Sequence, residues 1–165
     1  MGNEISQVYP NLYISGVLPA RDARVLQDKG ISHIVGILPK VRENHEFVTY
    51  HKIEGVPDNR QHADAFGEKF AAAFKFIHNA LSDDKKVLVH CLKGSSRSAT
   101  LIIAYLLVVT DLPLTTILTK IKAIHSKVNP NPGFMNLLEN LDPAPHRAFL
   151  NINVPNQNSE KFLNF

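Results

Sequence analysis

The residues best suited to chemistry lie in one stretch over positions 90–98, which contains the only cysteine of the chain. Cys91 is followed by Arg97 and then directly by Ser98. A cysteine thiolate is a strong nucleophile, and the planar guanidinium of an arginine can bind two oxygens of one phosphate. The residue types and their spacing therefore predict the transfer of a phosphoryl group onto sulfur.

The segments on either side of this stretch predict how it is positioned. Residues 86–90 have the pattern of a short buried strand, and residues 97–109 that of a buried helix, so a strand-loop-helix turn is expected. Backbone amides and a helix N-terminus converge at such a turn and form a binding site for a dianion. The helix N-terminus and the nearby Arg97 also favour the thiolate form of Cys91.

The remaining positions of the stretch have expected roles in binding phosphate. Backbone amides donate to its oxygens, and Gly94 allows the positive φ that a tight loop requires. Ser98 donates its hydroxyl to the sulfur and helps it depart when water cleaves the phosphocysteine, while His90 hydrogen-bonds local backbone and keeps the loop in shape. The expected substrate-binding residues are Leu92, Lys93, Gly94, Ser95, Ser96 and Arg97. A structural cysteine, buried as a small apolar side chain, is the disfavoured alternative.

Cleavage of a phosphomonoester also requires an acid that protonates the leaving oxygen. Asp58 follows a predicted strand and precedes a predicted helix, so a mobile loop would carry it over the phosphate site. Asp64 is the alternative, but its position suits the N-cap or first turn of that helix, where a carboxylate is stabilised. We therefore favour Asp58 as the general acid.

The stretch over 90–98 resembles the signature of the cysteine-dependent protein phosphatases, and residues 97–100 resemble the dual-specificity branch. Similar segments occur at residues 11–16, 20–23, 30–35 and 129–134, so the resemblance covers most of the chain. With its Met1-Gly2-Asn3 start, the chain resembles the small, N-myristoylated, atypical dual-specificity phosphatases of the Jun-kinase pathway. This resemblance implies the cysteine phosphatase fold, a single α/β domain with a central mixed sheet of about five strands flanked by helices. It also implies hydrolysis of phosphotyrosine and phosphoserine/threonine in proteins, with no metal and no organic cofactor.

The hydrophobic pattern independently predicts an α/β domain, because strands alternate with helices along the chain. We expect strands over residues 7–9, 12–15, 33–38, 48–53 and 87–90, and helices over residues 66–81, 97–109 and 114–124. The catalytic domain is expected to span residues 1–150. Residues 151–165 are mostly polar and are expected to form a loose tail, with docking through Phe162 and Phe165 as the alternative.

Three positions depart from the family pattern and leave alternative functions open. The usual spacing would place the acid at Arg60, so this loop carries about two extra residues. Lys93 replaces a small residue and favours acidic phosphopeptides or phosphoinositides, unless it is a solvated lysine without effect. His125 stands where relatives often carry arginine, which puts a second anion site in doubt. A phosphoinositide or other non-protein phosphatase, and a non-catalytic phosphate-binding adaptor, remain the alternatives.

The N-terminus and the composition bear on location and partners. Gly2 and Ser6 match the pattern for N-myristoylation, and one acyl chain gives only marginal, reversible membrane binding. A cytoplasmic protein with a membrane-associated fraction is therefore expected, and the absence of a leader and of a second cysteine agrees with a reducing compartment. The resemblance implies phosphoprotein partners of a MAP-kinase pathway. A net charge of +3 without a basic stripe argues against nucleic acid, and the eight histidines lack metal-ligand spacing.

Overall fold

The computed structural model describes residues 4–153 and 155–165, so Gly2, the predicted acylation site, lies outside the described residues. Five strands and nine helices follow one another along this part of the chain. The strands are β1 Ser6–Tyr9, β2 Leu12–Ser15, β3 Ile31–Ile37, β4 Thr49–Ile53 and β5 Lys86–His90. The helices are α1 Val17–Arg21, α2 Ala23–Lys29, α3 Ala63–Gly67, α4 Phe70–Ser82, α5 Arg97–Val109, α6 Leu114–Ile124, α7 Pro132–Glu139, α8 Pro143–Leu150 and α9 Pro155–Leu163.

The strands form one mixed sheet in the order β1-β2-β5-β3-β4, with β5 in the centre. The pair β1 and β2 is antiparallel, and the other pairs are parallel. Three consecutive residues of β5, Val87 to Val89, are fully buried, as expected for a central parallel strand that is covered on both faces. The predicted α/β fold with a five-stranded mixed sheet is confirmed.

Alternate residues of β5 enter two different cores, because successive side chains of a strand point to opposite faces. Val87 and Val89 belong to the larger core with residues of α3 to α9, whereas Leu88 belongs to a smaller core with residues of α1 and α2. Helix α5 has twelve of its thirteen residues buried and lies enclosed in the larger core. Among the described residues, no helix has both the length and the apolar character that crossing a bilayer requires.

The single long helix predicted over residues 66–81 is wrong in one respect, because the chain forms two helices, α3 and α4. The break falls at Glu68 and Lys69, directly after Gly67. Glycine is a poor helix former, and a Cβ at Gly67 would lie 3.0 Å from the Leu137 side chain. The apolar face nevertheless continues across the break, since Phe66 and Phe70 pack edge to face.

The expectation of a loose tail over residues 151–165 is also wrong, because α9 packs against the domain. The side chain of Phe162 is fully buried, and its ring lies 6.4 Å from that of Tyr9. Lys120 donates hydrogen bonds to the carbonyl oxygens of Phe162, Leu163 and Phe165, and so caps the C-terminal end of α9. Of the two predicted docking residues, Phe162 is the one that enters the core, whereas Phe165 is exposed.

Candidate active site

The loop over residues 91–96, called the cradle loop below, joins the central strand β5 to the N-terminus of α5. It wraps around the Cys91 sulfur: the amide of Gly94 donates to Sγ at 3.3 Å, and Ser98 Oγ lies 3.2 Å from Sγ. Cys91 is only 2% exposed. Both contacts suit a negatively charged sulfur, which the loop holds at the base of a cleft.

Gly94 can be nothing but glycine in this loop, for two reasons. Its φ is +72°, in the left-handed region that disfavours side chains. A Cβ there would also lie 2.7 Å from the carbonyl carbon of Ser15, at the end of β2. The same corner supports the loop from the side, because the amide of Val17 donates to the carbonyl oxygen of Leu92 at 3.0 Å.

Arg97 is the first residue of α5, and its guanidinium is almost entirely buried beside the cleft. Its Nη1 donates to the carbonyl oxygen of Val56 at 3.3 Å. Its Nε is buried and has no hydrogen-bond partner among the described residues. Because buried donors are almost always paired, this nitrogen is suited to an oxyanion in the cleft.

Asp58, and not Asp64, is brought to the cleft. Its Oδ1 accepts hydrogen bonds from Ser96 Oγ at 2.7 Å and from Asn131 Nδ2 at 2.8 Å. Both bonds use the same oxygen, so Oδ2 is left to carry a proton. Asp64 lies in the first turn of α3 and lines a different, smaller depression.

Asn131 is a site residue that the sequence did not reveal. Its Oδ1 caps α7 by accepting from the amide of Phe134 at 2.9 Å, while its Nδ2 binds Asp58 and its amide donates to Ser96 Oγ at 3.1 Å. The Ser96 hydroxyl thus donates to Asp58 and accepts from the backbone amide of Asn131. An asparagine before a proline predicts an N-cap. Nothing in the neighbouring sequence indicates that the same residue also binds residues of distant loops.

His90 lies behind the nucleophile and is fully buried. Burial lowers its pKa, which favours the neutral ring. Its Nδ1 lies 3.4 Å from the carbonyl oxygen of Cys91, a contact with local backbone of the kind expected from the sequence. Gly36 of β3 leaves room for the ring, because a Cβ there would lie 3.0 Å from His90 Nε2.

The cleft above Cys91 has a volume of about 1100 Å³. One wall is the turn before α7 together with α7 itself, and the floor is the cradle loop. Lys93 and Leu92 are both exposed, and they line the cleft at its rim. The described residues contain no group of three or more histidine, cysteine, aspartate or glutamate side chains placed to bind a metal ion.

Comparisons with known proteins agree with this geometry. The profile "Dual specificity phosphatase, catalytic domain" matches residues 12–142. The dual specificity protein phosphatase 22 of Mus musculus is 37% identical over 142 residues, which are 86% of this chain and 76% of that protein.

Solved structures show the same similarity. The crystal structure of DUSP15 has a TM-score of 0.82 and 31% identity, and the match covers 96% of this chain and 97% of that one. The human tyrosine phosphatase-like serine/threonine/tyrosine-interacting protein has a TM-score of 0.76 and 27% identity, with coverage of 83% and 94%.

Proposed function

The chain belongs to the dual specificity phosphatase family, and we propose that Cys91 is the nucleophile of its protein phosphatase reaction. That reaction hydrolyses phosphotyrosine and phosphoserine or phosphothreonine in proteins through a phosphocysteine intermediate. One observation supports the assignment above all others: the only cysteine of the chain lies at the base of the cleft, with the Gly94 amide and the Ser98 hydroxyl directed at its sulfur.

In the first step the Cys91 sulfur attacks phosphorus, and the bond from phosphorus to the ester oxygen breaks. The backbone amides of the cradle loop and the guanidinium of Arg97 stabilise the charge on the phosphoryl oxygens. Asp58 donates its proton to the departing oxygen, so that a neutral alcohol or phenol leaves instead of its anion.

In the second step water attacks the phosphorus of phosphocysteine, and the sulfur-phosphorus bond breaks. Asp58, now a carboxylate, accepts a proton from the water. Ser98 donates a hydrogen bond to the departing sulfur, which restores the thiolate, and inorganic phosphate is released. The 3.2 Å contact between Ser98 Oγ and Sγ supports this role.

Lys93 supports a preference for acidic substrates. Its ammonium is exposed on the rim of the cleft, where a positive charge raises the local concentration of anionic partners. Acidic phosphopeptides are the substrates we propose. Phosphoinositides are the second candidate, because the same lysine would attract their headgroups.

Lys93→Ala is expected to lower kcat/KM for an acidic phosphopeptide about three- to tenfold, because rim charges act mainly through steering. Hydrolysis of a small aryl phosphate should be unchanged. The measurement is a panel of phosphopeptides and short-chain phosphoinositides at two salt concentrations, with Lys122→Ala on α6 as the control. Faster turnover of phosphoinositides than of every phosphopeptide would favour the second candidate.

We also propose that the substrates include phosphoproteins of a MAP-kinase pathway. The resemblance of the chain to small phosphatases of the Jun-kinase pathway supports this proposal. A full-length Cys91→Ser protein binds substrate without turning it over, so its capture of phosphoproteins from cells tests the pathway. Capture only of proteins from unrelated pathways would contradict it.

We further propose that Gly2 is myristoylated and that the protein is cytoplasmic with a fraction bound to membranes. The match of Gly2 and Ser6 to the acylation pattern supports this proposal. The described part of the N-terminal segment contains Glu4 and no basic residue before β1, so the acyl chain would act without help from an adjacent polybasic run.

Protein acylated by co-expressed N-myristoyltransferase should therefore bind neutral vesicles weakly and reversibly, with half of it bound at about 0.1 mM accessible lipid. Gly2→Ala should lose this binding, and so should wild-type protein made without the transferase. Intact mass spectrometry and vesicle flotation make the two measurements. An unmodified Gly2 after co-expression would contradict the proposal.

A further inference from the structure

His125, which directly follows α6, links the back of the cradle loop to the first strand of the sheet. Its side chain is buried, with 2% exposure for the residue. One ring nitrogen, Nε2, lies 3.2 Å from the carbonyl oxygen of Gly94. The other, Nδ1, lies 2.8 Å from the hydroxyl oxygen of Ser6 in β1. Neither His125 nor Ser6 lines the cleft, so both act from behind the loop.

The two partners determine which ring nitrogen carries the proton. A carbonyl oxygen can only accept, so Nε2 carries hydrogen and donates to Gly94. In the neutral ring Nδ1 is then an acceptor, and the Ser6 hydroxyl donates to it. Burial is the main cause that lowers the pKa of His125, which favours this neutral form. Both ring nitrogens are therefore paired, and the orientation of the ring is determined.

The bond to Gly94 also determines the direction of the next amide. In a planar trans peptide the carbonyl oxygen and the following N–H point to opposite sides. Because His125 holds the Gly94 oxygen at the back of the loop, the Ser95 N–H points the other way, toward the cleft that Ser95 lines. Glycine at position 94 would otherwise let this peptide rotate and turn its carbonyl toward the anion.

We propose that His125, oriented by Ser6, is a positioning residue that keeps the Gly94–Ser95 peptide with its amide toward the bound phosphate. This inference rests on one part of the proposed function, namely that the cradle loop binds an oxyanion. The His125 side chain touches neither substrate nor the reacting atoms. It acts through one peptide of the loop.

The test compares His125→Asn with His125→Gln in the full chain, made without acylation. The asparagine amide reaches only to the Nδ1 position of the histidine, whereas the glutamine amide reaches the Nε2 position and can still donate to Gly94. Tungstate binding is measured by calorimetry, which requires no turnover. His125→Asn is expected to raise the tungstate Kd about tenfold, the usual effect of losing one hydrogen bond to a charged group. His125→Gln should stay within about threefold of wild type, on the same reasoning.

Ser6→Ala is the second variant, and it should raise the Kd about two- to threefold because the ring loses its orienting partner. The control is His78→Asn, which removes a half-buried histidine's 3.0 Å contact with the Tyr105 hydroxyl, away from the cleft. An unchanged tungstate Kd in either His125→Asn or Ser6→Ala overturns the proposal. An equal rise in Kd for His125→Asn and His125→Gln, at comparable Tm, overturns it as well. Tungstate binding that depends on His125 in a chain without phosphatase activity would refute the proposed reaction and support this inference.

Discussion

Cys91→Ser is expected to abolish turnover of an aryl phosphate, with kcat lower by on the order of 10⁴-fold or more. Serine nearly preserves the shape of the side chain, but its hydroxyl is not ionised at neutral pH. Among the described residues, the groups that hydrogen-bond to the sulfur are the Gly94 amide and the Ser98 hydroxyl, neither of which is a base. The groups that remain, Arg97 and the amides of the cradle loop, can bind the dianion without forming a covalent bond to it. Binding of tungstate should therefore persist in the variant while hydrolysis is lost.

The same experiment distinguishes an enzyme from a phosphate-binding adaptor. Wild-type protein that hydrolyses the substrate no faster than Cys91→Ser would be an adaptor, whatever its affinity for phosphate. Rapid acid quenching of wild type provides the complementary measurement, because mass spectrometry should locate the trapped phosphoryl group on Cys91. Turnover in Cys91→Ser comparable to wild type would show that sulfur does not receive the phosphoryl group.

Features encoded by consecutive residues were predictable from the sequence. The central strand β5 contains a run of apolar residues bounded by polar ones, and each observed strand begins and ends within two residues of its predicted limits. The cradle loop follows from its glycine, its cysteine and the helix that comes after it. The local pattern is sufficient in these cases because the apolar residues of a buried strand or helix indicate, by themselves, that the segment is buried.

Features that depend on contacts between distant segments were not predictable. The tail resembles a loose segment in composition, but its helix docks through contacts with distant residues: Phe162 enters the core, and Lys120 binds its last carbonyl groups. Asn131 and Asp58 are 73 residues apart, and neither residue type specifies the other. His125 is 31 residues from Gly94, with no pattern that indicates the contact.

These long-range contacts hold the loop that carries Asp58, the proposed acid, in place at the cleft. Asp58 is held by Ser96 from the cradle loop and by Asn131 from the turn before α7. Arg97 binds the carbonyl of Val56, two residues before the acid. The loop is thus held by hydrogen bonds to the cradle loop, to α5 and to the turn before α7.

Asp58→Asn is accordingly expected to lower kcat about 10²- to 10³-fold on a phosphothreonine peptide. Asparagine keeps the Oδ1 acceptor that Ser96 and Asn131 bind, so the loop should stay in place and only the transferable proton is lost. The effect should be much smaller on an aryl phosphate whose phenol is strongly acidic, because that leaving group departs without protonation.

Asp64→Asn is the matched control, because it makes the same chemical change six residues away on a carboxylate that does not line the cleft. We expect wild-type kcat and an unchanged pH profile for this variant. If Asp64→Asn instead loses turnover while Asp58→Asn keeps it, the general acid is Asp64, and the bonds from Ser96 and Asn131 to Asp58 have only a structural role. Loss of the acid should reduce turnover less for the more acidic leaving group, whereas misfolding would reduce the turnover of every substrate alike. The comparison of the two substrates therefore distinguishes loss of the acid from a general loss of stability.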